Sequence, residues 1–189
     1  IGRGICFALI DQAVRDGVPI RISAGGSKPS ERLDALVAEL QTAGAQACAV
    51  HADLTDPNAC TAMVDKALDQ HGDLTALICN AGASGPGQLA DLPLAQWDTT
   101  FNLNTRSAWI LAQVARSSLA RTRGSITAIA SMSGLTPHPG YGAYSAAKAA
   151  LIMLCRQLAQ QWAHQGIRVN TICPGMIRTP LTEAAYQNE

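Results

Sequence analysis

The chain has no excess of either charge, with fourteen Lys and Arg against fourteen Asp and Glu over 189 residues, and no block of like charges. Sequence-independent binding to nucleic acid or to an anionic membrane surface needs a local basic excess, so neither partner is expected. No stretch approaches the roughly 18 apolar residues of a membrane-crossing helix, because Asp, Arg, Lys or Gln recur throughout. None of the six cysteines forms a Cys-x-x-Cys pair. Most lie in apolar runs such as Leu77-Ile78-Cys79 and Thr171-Ile172-Cys173, as small core residues do in a reducing, cytoplasmic compartment. No metal site is expected. Linkers, repeats and low-complexity segments are absent too, which argues for one domain over 1–189. There is no signal peptide, and a first residue Ile1 rather than Met suggests that the natural chain starts earlier.

What is present is a globular composition, 48% hydrophobic, in which helix and strand patterns alternate. Residues 2–15 read as an amphipathic helix, Val18–Ser23 as a strand and Ala24–Ser27 as a turn. A helix is expected from Ser30, as N-cap, to Thr42, then a strand at Ala47–Val50. Asp56-Pro57 opens a helix to about His71. Leu74–Cys79 is a nearly continuous apolar strand, of the kind covered on both faces, and Asn80–Gly87 a Gly-rich loop. A long helix over about Leu94–Leu119 precedes a strand at Ser125–Ala130, a helix at Tyr141–His164 and a strand at Ile167–Ile172. This alternation implies an α/β fold with a doubly wound parallel sheet, helices on both faces and ligands at the carboxyl ends of the strands.

Tyr144 and Lys148 are four apart near a helix start and so share a face. A phenol titrates near pH 10, and bringing it to neutrality takes about 4 kcal/mol. A lysine ammonium about 4 Å away supplies about that much at an effective dielectric near 20. The pair can therefore form a proton donor or acceptor working at neutral pH, although Tyr and Lys at this spacing are also common by chance. Ser131 follows a strand, where its hydroxyl can hold a substrate oxygen or simply cap a turn. Asn80-Ala81-Gly82 follows another strand, and its small residues let a flat ligand approach the backbone. Asp53-Leu54 ends a third strand, where Asp53 either accepts from an adenine amino group or caps with Thr55 and Asp56.

In this order, Ile1-Gly2, Asp53-Leu54, Asn80-Ala81-Gly82, Asn104, Ser131, Tyr144-x-x-x-Lys148 and Pro174–Thr179 resemble the short-chain dehydrogenase/reductase family, from Ile1 to about Pro180. The thirteen-residue step from Ser131 to Tyr144 is the family's own. The resemblance implies a Rossmann-like fold and hydride transfer between a nicotinamide cofactor and a small carbonyl or secondary alcohol. Tyr144 would be the general acid or base, and Lys148 would lower its pKa and bind the nicotinamide ribose. Ser131 would polarise the substrate oxygen. Asn104, preferred to Asn102 because it lies seven after Trp97, would hold a relay water. Ile1, Gly2, Asp53, Leu54, Asn80, Ala81 and Gly82 would bind cofactor along with Tyr144 and Lys148, and Pro174, Gly175, Ile177 and Thr179 would bracket the carboxamide. The resemblance also implies a homodimer or homotetramer through the helices around 94–119 and 142–164.

The family's phosphate loop, Thr-Gly-x-x-x-Gly-x-Gly, is met only at its last two residues, and its final strand and helix are not met at all. The sequence thus reads as truncated at both ends. The turn after the second strand, Ala24 to Lys28, has no carboxylate for an adenosine ribose, and Ser27, Lys28 and Arg3 could meet a 2′-phosphate. NADP is therefore favoured over NAD. Segments 84–89 and 132–141 and the stretch after Thr179 would line the substrate pocket, with His138 a candidate contact. Trp109 reads as interface or core. The alternative is a non-catalytic cofactor-binding or regulatory protein on the same fold.

Overall fold

Capping residues mark where the helices start and stop. In the computed structural model, which describes residues 1–85, 87–179 and 182, the chain forms two compact units, Ile1–Leu74 and Thr75–Glu189. The first opens on α1 (Gly2–Asp16), closed by Gly17 in the left-handed conformation. Helix α2 (Glu31–Thr42) begins where the Ser30 hydroxyl accepts the Leu33 amide. Helix α3 (Pro57–His71) begins where the Asp56 carboxylate accepts that of Asn58, with Pro57 in the first turn, where no N–H is needed.

Strands β1 (Arg21–Gly26) and β2 (Gln46–His51) pair in parallel, from Arg21 opposite Gln46 to Gly26 opposite His51. Their side chains alternate between two faces. Ile22, Ala24 and Ala47 join Ile10, Leu33 and Leu40 in a core with α1 and α2. The other face meets α3, with Gly25 against Met63 and Cys48 against His71. The strand expected at Val18–Ser23 lies three residues later, and most of the turn expected at Ala24–Ser27 is its second half. Gly25 and Gly26 are poor strand formers alone, but the ladder to Val50 and His51 overrides that preference.

The second unit holds β3 (Ala76–Cys79), β4 (Ser125–Ile129) and β5 (Arg168–Ile172), parallel and in the order β3-β4-β5. Cys79 is opposite Ala128, which is opposite Thr171. Helices α5 (Ser107–Thr122) and α6 (Gly142–Trp162) pack on this sheet. Ile126 and Ala128 are buried, whereas Arg168, Asn170 and Ile172 are exposed. All strand pairs are parallel and alternate with helices, so the architecture is Rossmann-like α/β. Among the described residues the hydrogen-bonded strands are β1-β2 in the first unit and β3-β4-β5 in the second. Among the described residues no helix is long and apolar enough to cross a membrane.

The long helix expected over Leu94–Leu119 is interrupted. Helix α4 (Leu94–Phe101) passes into a π-helical turn, Asn102–Arg106, before α5 resumes. Asn104 donates its side-chain amide to the Thr100 carbonyl at 2.9 Å, the acceptor its own backbone N–H would take in a regular helix. Helix α6 lies close to a 3-10 turn at Met132–Gly134. A Cβ on Gly134 would stand 2.8 Å from the Lys148 carbonyl carbon and 2.9 Å from the Ala149 nitrogen. Gly134→Ala should therefore cost about 1–3 kcal/mol of stability. Urea unfolding measures it, and an unchanged midpoint would mean that this approach is looser than described.

Candidate active site

Four side chains of the second unit gather where β4 ends and α6 begins. Ser131 follows β4 in extended backbone, and its Oγ accepts the Ser133 amide at 3.1 Å, capping the 3-10 turn. Its hydroxyl also acts on the Tyr144 phenol, favouring the charged form. Tyr144 is the third residue of α6, and Lys148 stands one turn on with 2% of its surface exposed. The Lys148 Nζ donates to the Ile129 carbonyl at 2.9 Å and lies 5.6 Å from the centre of the Tyr144 ring. Thr105, in the π turn, donates to the Ala147 carbonyl at 2.8 Å and ties that turn to α6 between the two residues.

Asn104, 1% exposed, projects from the π turn to the same place. Its Nδ2 donates to the carbonyls of Ala83 and Thr100, while its buried Oδ1 has no protein partner. A Cβ on Gly82 would meet that Oδ1 at 2.6 Å and the Lys148 Nζ at 3.0 Å. A side chain there would displace both groups, so Gly82 lies directly against the amide and the amine.

Burial pushes the Tyr144 phenol above its ordinary value; the Ser131 hydroxyl opposes this and the neighbouring Tyr141 adds to it. The sequence led us to expect a phenol drawn down by Lys148. Here the amine is directed at a carbonyl, and burial dominates. The Lys148 ammonium is itself pushed down, to about 8, by burial that the Cys79 and Cys173 thiols partly offset.

Pro174, Gly175, Ile177 and Thr179 follow β5. The Pro174 carbonyl accepts the Met132 amide at 2.9 Å, tying this segment to the loop after Ser131. Thr179 is held by Thr182, whose hydroxyl accepts the Thr179 amide at 2.9 Å. His138 is partly buried beside Tyr141, with their rings edge to face. Trp109 is 45% exposed, which removes the core reading. Pro86, Pro180, Leu181 and residues 183–189, within the expected pocket segments, lie outside the described residues.

The remaining cofactor candidates belong to the first unit. Gly2 begins α1, whose N-cap Ile1 makes no side-chain bond, so its first-turn amides have no side-chain acceptor. Asp53 is fully exposed, and its Oδ1 accepts both the amide and the hydroxyl of Thr55, which hold its carboxyl below the usual range. The Leu54 carbonyl accepts the Cys60 thiol at 3.4 Å. Arg3 pairs with Glu39 and stacks over Phe7, so it is engaged within its own unit. Reading the sequence missed the Ile129 carbonyl, a backbone group with no residue signature, and Thr105. The polar run Asn102-Leu103-Asn104-Thr105 within an apolar helix was the available signal for the latter.

A family model described as short chain dehydrogenase matches residues 1–189. The 2-(S)-hydroxypropyl-CoM dehydrogenase 3 of Xanthobacter autotrophicus is 34% identical over 177 residues, which span 93% of this chain and 68% of that one. The crystal structure of a Sinorhizobium meliloti protein provisionally described as a short-chain alcohol dehydrogenase superposes with a TM-score of 0.87 at 31% identity, over 100% of this chain and 72% of that one. That of a Beutenbergia cavernae protein provisionally described as an NAD(P)-dependent gluconate 5-dehydrogenase, with NADP bound at low occupancy, gives a TM-score of 0.81 at 28% identity. It covers 89% and 67% of the two chains.

The depressed Lys148 pKa has a consequence for stability. Below about pH 8 both folded and unfolded chains hold the proton, and folding must bury a charge. Between about 8 and 10.5 the folded form has released it while the unfolded form keeps it, so stability rises with pH across that window. The full rise attributable to this group is about 3 kcal/mol. Urea titrations at stepped pH should show it, and Lys148→Met should flatten it. An equal slope in the two proteins would assign the titration elsewhere.

Proposed function

The chain belongs to the short-chain dehydrogenase/reductase family, and on that premise we propose that it is an NADP(H)-dependent oxidoreductase of small carbonyl compounds and their secondary alcohols, with Tyr144 as general acid and base. The observation that carries this reading is the Ser131–Tyr144–Lys148 arrangement of the second unit. A phenol held above its ordinary value is protonated at neutral pH, the state that carbonyl reduction needs of its acid. Ser131, which acts on the same phenol, would hold the substrate oxygen as negative charge develops on it. Asn104 offers a buried oxygen with no protein partner beside Lys148, which suits a water relaying protons to the amine.

The residues fit a nicotinamide dinucleotide, which when bound supplies or accepts the hydride. Uncapped first-turn amides at Gly2 suit a phosphate. Ile1, Asp53 and Leu54 complete that part of the assignment. Asn80, Ala81 and Gly82, with Pro174, Gly175, Ile177 and Thr179, are assigned to the nicotinamide end, and Tyr144 and Lys148 to its ribose. NADP is preferred because the segment after β1 carries Ser27 and Lys28 and no carboxylate. The Glu39 pairing removes Arg3 from that argument and leaves it resting on those two residues. Residues 1–189 are read as a single dinucleotide-binding oxidoreductase domain. We also assign it to the cytoplasm, as a homodimer or homotetramer that would cover the exposed Trp109 and Met153 of α5 and α6.

Titrating the protein with NADPH while following nicotinamide fluorescence separates this reading from a protein that binds no cofactor, and absence of binding would sink it. Tyr144→Phe removes the proton and little surface. Its kcat on an accepted ketone should fall by roughly 10²- to 10⁴-fold, with NADPH affinity nearly unchanged. Near-normal turnover in that variant would move the acid role to another residue.

A further inference from the structure

Away from Tyr144, the first unit carries a second group of reactive side chains. Ser23 of β1 and Cys48 of β2 are register partners, and their Oγ and Sγ atoms are 3.5 Å apart. The same Sγ is 3.5 Å from Nε2 of His71, the last residue of α3. All three side chains are partly buried, so the thiol keeps some contact with solvent. Cys60, Cys79 and Cys155 are buried. The set falls short of a metal centre, since no group of three or more His, Cys, Asp or Glu capable of holding an ion occurs among the described residues.

We infer that Cys48 is an oxidative modification site, at which the thiol is activated by His71 and converted by hydrogen peroxide to a sulfenic acid. Cysteine reacts as its sulfur gives up the proton, and the His71 imidazole, 3.5 Å away, is within reach to take that proton during the attack. The sulfur attacks one peroxide oxygen. The S–O bond forms as the O–O bond breaks, and the departing hydroxide takes the proton back from His71 and leaves as water. Sulfur is oxidised by two electrons and peroxide is reduced by two. The Ser23 hydroxyl, 3.5 Å from the sulfur, is within reach to hydrogen-bond the new oxygen. A thiol reductant reverses the change. This inference does not depend on the role given to Tyr144.

The test exposes the full chain to short pulses of hydrogen peroxide with dimedone, which traps sulfenic acids, and quantifies the adduct at each of the six cysteines by peptide mass spectrometry. Cys48 should be labelled about tenfold faster than the partly buried Cys6 and Cys173, as activation by a neighbouring base implies. His71→Gln should remove most of that advantage, with Cys60, Cys79 and Cys155 still unlabelled as the sign of an intact fold. Labelling of Cys48 no faster than Cys6 and Cys173 in the unaltered protein overturns the inference without recourse to any variant. So does an unchanged Cys48 rate in His71→Gln.

Discussion

Lys148 is buried in its unit, and an amine in that position must be hydrogen-bonded or the fold bears the full cost of desolvating it. The Ile129 carbonyl, the last of β4, meets that requirement. Helix α6 is thereby held to one position along the sheet. Gly134 allows the 3-10 turn to approach the helix backbone at Lys148, and Gly82 allows the loop after β3 to lie over the amine. Two loops at the carboxyl ends of β3 and β4 thus converge on one residue, and Ser131 and Tyr144 come with them.

The same burial sets the electrostatics. It pushes the phenol up and the amine down, each away from its charged form. Tyr144 therefore holds its proton at neutral pH, and the Lys148 ammonium gives up its proton at about pH 8. Asn104 belongs to this arrangement through the π turn, a local defect that its own side chain sustains by occupying the Thr100 carbonyl. The defect presents Oδ1 inward with no protein partner. In a regular helix that face would be satisfied and closed to a relay.

The first unit has a different chemistry. Its helices α2 and α3 are capped by Ser30 and Asp56, whereas the first-turn amides of α1 have no side-chain acceptor. Arg3, a cation that the sequence offered for a 2′-phosphate, is engaged by Glu39 and Phe7 instead. The thiol–imidazole pair of Cys48 and His71 lies in this unit, not among the residues assigned to proton transfer, so its oxidation state and the chemistry at Tyr144 can be tested separately.

Features written in short stretches of chain were legible in the sequence. The Tyr144–Lys148 spacing, the caps at Ser30 and Asp56 and the alternation of strand and helix depend on residues within a few positions of one another. Local geometry alone fixes such features. The tertiary structure decided what depends on partners far along the chain. It carried β1 through Gly25 and Gly26 because β2 lies alongside, and it broke the helix at Asn102–Arg106, where Ala83 and Thr100 take the Asn104 amide. It directed Lys148 at a carbonyl nineteen residues back and brought His71 to a thiol twenty-three residues away. Burial, pKa and pairing of this kind arise only when the chain is packed, since each is a property of the space around a side chain and not of its neighbours in sequence.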